Sequence, residues 1–184
     1  MIDEQHDSLS VLAERLGMRY AFIPNIGDLY GNAVLSRFAM TDVRLVHYAL
    51  EPGIKHQPRG VLFVRTAGVL LGCTHLDELS DGTFVRQEQV RTIIREWKGE
   101  KPAIVAGDLN ARPEDIEIRL LGEAGFDDLG RDAGPTTTMD DPQKRIDYVW
   151  GVGVVGAQAH SLDVDIAKRA SDHRPLIVNV TVTK

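Results

Sequence analysis

The sequence predicts a mixed α/β domain of stacked β-sheets with helices on the outside. Three observations carry that expectation. Short runs rich in β-branched and aromatic residues, punctuated by glycine and proline, recur through the first half and again near the end. At least two segments place apolar residues at helical spacing. No repeat, low-complexity tract or linker divides the 184 residues, a length that one hydrophobic core can serve, so residues 1–184 read as a single domain.

Taken in order, Asp7 or Ser8 can cap a short helix over 10–16, which Gly17 stops. Extended segments are expected at 19–23, 32–36 and 43–48, separated by Pro24, Gly27 and Gly31. Residues 59–66 and 69–74 flank Ala67-Gly68 and read as a hairpin. Over 84–97, Val90, Ile93, Ile94 and Trp97 share one helical face, leaving Arg86, Glu88, Arg91, Arg95 and Glu96 for the wet face. The apolar run 102–106, ending at Gly107, fits a strand buried on both faces. A further helix is expected over 114–123, then strands at 145–150, 157–162 and 175–182, the last showing two-residue alternation. The polar loop 130–144 is long enough to suggest a function of its own.

Composition narrows the function classes. With 21 basic and 27 acidic residues the formal charge is −6, which disfavours tight non-specific binding to nucleic acid. A local cation cluster or a bound divalent ion could still reverse the sign of one site. The lone Cys73 lies in an apolar run; it can form no internal disulfide and reads as a small core residue. No stretch is apolar for the roughly 20 residues that span a bilayer, and the first residues are acidic where a signal peptide would be basic, so a cytoplasmic setting is expected.

Four polar clusters end apolar strands: Thr74-His75-Leu76-Asp77, Gly107-Asp108-Leu109-Asn110, Arg145-Ile146-Asp147-Tyr148 and Ser171-Asp172-His173-Arg174. Strand ends are where a rigid scaffold aims side chains into a shared cleft. Each cluster alone has a plainer reading: His75 as a hydrogen-bonded strand end, Asp108 and Asn110 as turn formers, Asp147 as half of an ion pair with Arg145 or His173. Together they hold the carboxylates, amide and imidazoles that phosphoester hydrolysis needs to activate water and offset phosphoryl charge.

That ordered set, with the run Tyr30-Gly31-Asn32-Ala33-Val34-Leu35-Ser36-Arg37, resembles the endonuclease/exonuclease/phosphatase superfamily over nearly the whole chain. The resemblance implies a four-layer α/β/β/α sandwich with two mainly antiparallel sheets, and metal-dependent hydrolysis of phosphate esters of a small molecule, lipid or nucleic acid. It implies that Asp108 orients or deprotonates the attacking water, and that Asn110 holds a phosphate oxygen. His173 would contact the phosphoryl group, with Asp147 fixing its tautomer, and His75 would stabilise or protonate the leaving side. Asn32 and Arg37 join Asn110 and His173 as implied substrate contacts, and Asp172 with Asp108 as implied metal ligands. Magnesium or manganese suits such oxygen donors. The run 30–37 and the His75/Asp77 strand look more like broad bacterial metal-dependent hydrolases than abasic-site repair enzymes.

The family pattern opens with a strand ending in asparagine, a helix, and a strand ending in Gln-Glu, and this sequence starts just after that glutamate. Glu4-Gln5 has the two types in reverse order and makes no replacement. The expected fold therefore lacks its first strand–helix–strand portion. Two expectations follow: an alternative in which the chain is an inactive remnant serving as a binding domain, and a homodimer that pairs the exposed edge of the last strand.

Overall fold

The computed structural model describes residues 8–50, 56–79, 82–138, 143–162 and 171–182; Glu4, Gln5 and the proposed cap Asp7 lie outside them. Helix α1 (Ser8–Leu16) leads into a hairpin of β1 (Arg19–Ile26) and β2 (Tyr30–Ser36). Then come β3 (Met40–His47), β4 (Gly60–Thr66), β5 (Val69–His75), α2 (Thr83–Trp97), β6 (Ala103–Asp108), α3 (Ile116–Glu123), β7 (Asp127–Asp128), β8 (Asp147–Val152), β9 (Val154–Ser161) and β10 (Leu176–Val182). β1 runs past Pro24, which an edge hairpin tolerates, with a register shift between Pro24 and Ile26. Among the described residues, no helix is long and apolar enough to cross a membrane.

A six-stranded sheet of order β3-β4-β5-β6-β8-β7 forms the centre. Every pairing in it is antiparallel except β5 with β6, which α2 connects as a crossover. Strand alternation sorts its faces. Val61, Phe63, Leu70, Val105, Tyr148 and Trp150 pack with Val90, Ile93 and Trp97 of α2 and Ile118 and Leu121 of α3. Leu62 and Val64 point the other way, onto Ile23 and Val34 of the β1–β2 hairpin. Each such fully buried aliphatic side chain contributes about 1.5–3 kcal/mol. α1 packs against β1 on the outside, completing the α/β/β/α layering. Cys73 is partly buried against the second cluster, as its apolar run suggests.

Three features depart from the sequence reading. Gly153, at φ 67°, turns β8 directly into β9, so that strand begins at Val154 and not near Ala157. Among the described residues the second layer is two separate two-stranded hairpins, β1–β2 and β9–β10, and not one continuous sheet; β10 pairs with β9 alone, which leaves the free edge expected of the last strand. Arg86, expected on the wet face, is 5% exposed. Its Nε donates to Glu117 of α3 at 2.6 Å, and its Nη1 donates to the carbonyls of Asp77 and Leu79. The pair ties α2, α3 and the loop after β5 together, which keeps that loop in place beneath the site.

Candidate active site

Register does most of the assembly. In the parallel β5–β6 ladder His75 is the partner of Asp108, and in the antiparallel β6–β8 ladder Asp108 is the partner of Asp147. Three polar residues that end three apolar strands thus stand in one row. Gly107 permits the close approach of β6 to β5: its φ is 146°, and a Cβ there would sit 1.8 Å from the Thr74 carbonyl oxygen.

The fourth cluster arrives from the segment before β10. Thr137 bridges to His173, Arg174 N donates to the Thr136 carbonyl at 2.6 Å, and Thr138 donates through N and Oγ1 to the Asp172 carbonyl, each at 2.9 Å. Thr136, fully buried, also takes the amides of Ile146 and Asp147 on its Oγ1 at 3.0 and 3.1 Å. The described part of the long loop is therefore a clamp that fastens the His173 segment to the start of β8. Of the two partners open to Asp147, His173 is the one found, its Nδ1 lying 2.8 Å from Asp147 Oδ2. Arg145 instead donates to Asp128 at 2.7 Å and covers the Tyr148 ring.

Asp108 divides its work between two oxygens. Oδ1 accepts the Asn110 amide at 2.8 Å in the expected turn. Oδ2 lies 3.5 Å from His75 Nε2 and 3.9 Å from His173 Nε2. Asn110 takes φ 47° and donates its Nδ2 to the Leu76 carbonyl at 3.1 Å, which leaves the amide oxygen as its acceptor. Burial, followed by the negative charge of Asp147, pushes the Asp108 carboxyl up to about 6. The hydrogen bond that its Nδ1 donates to Asp147 raises the His173 imidazole to about 9. Burial and then the charge of Arg59 lower His75 to about 4. Near neutral pH the site thus combines an ionised Asp108, a charged His173 and a neutral His75.

Two implied residues fall outside this group. Arg37 is exposed at the far end of β2: Ser36 beside it hydrogen-bonds Thr66, at the end of β4 remote from His75, and the strand direction carries Arg37 away. Asp172 is exposed on a turn held by its backbone carbonyl, and the carboxylates that converge with His173 are those of Asp108 and Asp147. Asn32 lies at the near end of β2 but spends its Nδ2 on the Gly60 carbonyl at 3.2 Å. Asp77 is buried in a pair with His56 and accepts the Leu79 amide. Arg59 was missed; it is 1% exposed and its Nη1 lies 2.9 Å from His75 Nδ1. The signal for it was an arginine set immediately before Gly60 and the apolar run Val61-Leu62-Phe63-Val64.

The Endonuclease/Exonuclease/phosphatase family model matches residues 2–173. The chain belongs to that family. A comparison with curated proteins finds no match. Among solved structures, an endonuclease/exonuclease/phosphatase from Beutenbergia cavernae is 23% identical with a TM-score of 0.79, over 100% of this chain and 59% of that one. The human Nocturnin catalytic domain with bound sulfate anion is 21% identical with a TM-score of 0.75, over 99% and 78%. A 3′ phosphatase, NExo, from Neisseria bound to a product DNA hairpin is 18% identical with a TM-score of 0.70, over 98% and 85%. These likenesses establish the sandwich fold of the family, and the chain spans 59% of the Beutenbergia protein's length.

The donor set also fits a divalent cation. Asp108 and Asp147 each bring a carboxylate oxygen within 4.8 Å of one another and of a His173 ring nitrogen, and the carboxylates are the donors open to an ion while His173 is an imidazolium. Carboxylate oxygens are donors that divalent cations accept.

Proposed function

We propose that this chain hydrolyses phosphate esters by water attack on phosphorus, using magnesium or manganese. The observation that carries the reading is the row His75–Asp108–Asp147 across three adjacent strands, closed by His173 at 2.8 Å from Asp147. Asp108 and Asp147 would hold the cation, which when bound supplies charge neutralisation for the phosphoryl oxygens.

The residues themselves account for the remaining chemistry. Asp108 Oδ2, ionised above about 6, takes a proton from the attacking water as the new P–O bond forms. His173, held as an imidazolium by Asp147, lays its charge against the phosphoryl oxygens. The Asn110 amide oxygen is left as an acceptor beside Asp108, and His75 serves the leaving oxygen as the bond to phosphorus breaks. Asn110 also lines a cavity of about 500 Å³ with Glu78, Arg112, Lys144 and Ile146, which can seat the leaving group. Its mixed charges suit a phosphorylated small molecule better than a long polyanion.

The test is hydrolysis of a generic phosphodiester and a generic phosphomonoester with added manganese or magnesium, and again with chelator. Metal-dependent turnover of either ester supports the reading. A folded protein that turns over neither supports the alternative of an inactive binding domain.

A further inference from the structure

Arg59 immediately precedes β4, is 1% exposed, and has no task in the reaction as described above. Its Nη1 reaches two groups, His75 Nδ1 at 2.9 Å and the Tyr30 hydroxyl at 3.1 Å. The guanidinium carbon lies 5.9 Å from the Tyr30 ring centroid, and Nη2 stands 3.7 Å from Glu78 Oε2. These contacts hold the planar group in one orientation against β5.

A guanidinium carries only donors and stays charged throughout the range in which proteins fold. A short contact between Nη1 and Nδ1 is therefore an N–H···N bond in which the imidazole accepts. With Nδ1 used as acceptor, the single ring proton of the neutral imidazole lies on Nε2. That atom is 3.5 Å from Asp108 Oδ2, the oxygen that His173 Nε2 also faces.

We propose that Arg59 is a positioning residue that locks His75 in the Nε2–H tautomer and directs that N–H into the reaction space. His75 is then a neutral hydrogen-bond donor to the leaving oxygen, and neither the base that activates water nor a second imidazolium. The two imidazoles are thereby given different tasks by different partners: a carboxylate on Nδ1 makes His173 a cation, and a guanidinium on Nδ1 makes His75 a neutral donor. The identity of the atom that receives the bond rests on the phosphoester reading; the tautomer does not.

The nitrogen spectrum of the ring decides the point without reference to activity. In the metal-free wild-type chain near neutral pH, two-bond proton–nitrogen correlation should show His75 Nδ1 as a pyridine-type, hydrogen-bonded nitrogen and Nε2 as the protonated one. Arg59→Met should move Nδ1 out of that position, and Arg59→Lys, which keeps a charged donor, should retain the wild-type pattern. On the hydrolysed ester, Arg59→Met should lower kcat on the order of 10²-fold with little change in KM, and Arg59→Lys should recover most of it. A proton on Nδ1 in the wild type overturns the proposal, as does a wild-type pattern in Arg59→Met. If Arg59→Met does not fold, the wild-type and Arg59→Lys spectra still distinguish the two tautomers. The expected spectra in a chain that hydrolyses no ester would leave the tautomer lock standing and remove the phosphoester reading instead.

Discussion

Replacing Asp147 by asparagine should release His173 from the cationic state that the site imposes on it. The ring stands at about 9, against an ordinary 6.5, chiefly because Asp147 Oδ2 accepts from Nδ1 at 2.8 Å. At about 1.4 kcal/mol per pH unit, the full displacement corresponds to about 3 kcal/mol. The two side chains are 30% and 21% exposed, and solvent screening reduces the expected contribution to about 1–2 kcal/mol. The sign follows from linkage: a raised imidazole pKa stabilises the folded state fully below about 6.5 and loses that effect as pH rises through about 9. Asp147→Asn should therefore cost about 1–2 kcal/mol near pH 6 and little near pH 10. Its His173 titration should fall back toward 6.5. The Asp108 carboxyl should fall with it, since the charge of Asp147 is the second cause of its rise. Histidine proton NMR of the chelator-treated protein gives the titration, and urea unfolding at the two pH values gives the stability difference. An unchanged His173 titration, or the same destabilisation at both pH values, would refute the pairing.

Three further outcomes follow from the packing. Glu117→Ala leaves the buried Arg86 charge without its partner and should destabilise by about 3–5 kcal/mol in urea unfolding, whereas Arg86→Met with Glu117→Leu should come within about 1 kcal/mol of wild type. Gly107→Ala forces a Cβ to 1.8 Å from the Thr74 carbonyl oxygen at φ 146°, and should cost about 3 kcal/mol or more by the same measurement. The edge of β10 away from β9, with Ile177, Val180 and Val182 at 37, 38 and 41% exposure, should pair with a second copy. Light scattering at about 100 µM, where a stable dimer is fully populated, should report twice the chain mass, and a monomer there excludes the pairing.

The convergence of the strand-end residues was legible because each polar cluster interrupts an apolar run, a place where a buried carboxylate or imidazole must have a partner. His75, Asp108, Asn110, Asp147 and His173 all come to one place for that reason, and the strand register that aligns the first, second and fourth follows from which strands are neighbours. What stayed hidden is what only three dimensions fix. Arg37 looked like part of the substrate face because it ends a motif-bearing run, but the direction of β2 takes it to the opposite end of the sheet. Arg86 looked like a wet-face residue, although it lies one helical turn before Val90 and so on the buried stripe; its partner Glu117 is 31 residues away. Arg59 is a single charge in a flanking position, and only the proximity of Tyr30 and His75 gives it a role. The β8–β9 turn was missed because one glycine, Gly153, makes the reversal where no longer loop marks it.

The central claim is that Asp108 and His173 perform the chemistry of phosphoester cleavage. Rates for wild type, Asp108→Ala and His173→Ala should be compared on one ester in manganese, with folding of each checked by circular dichroism. Each variant should remain folded and lose on the order of 10²- to 10⁴-fold in turnover. Wild-type rates in both folded variants would contradict it.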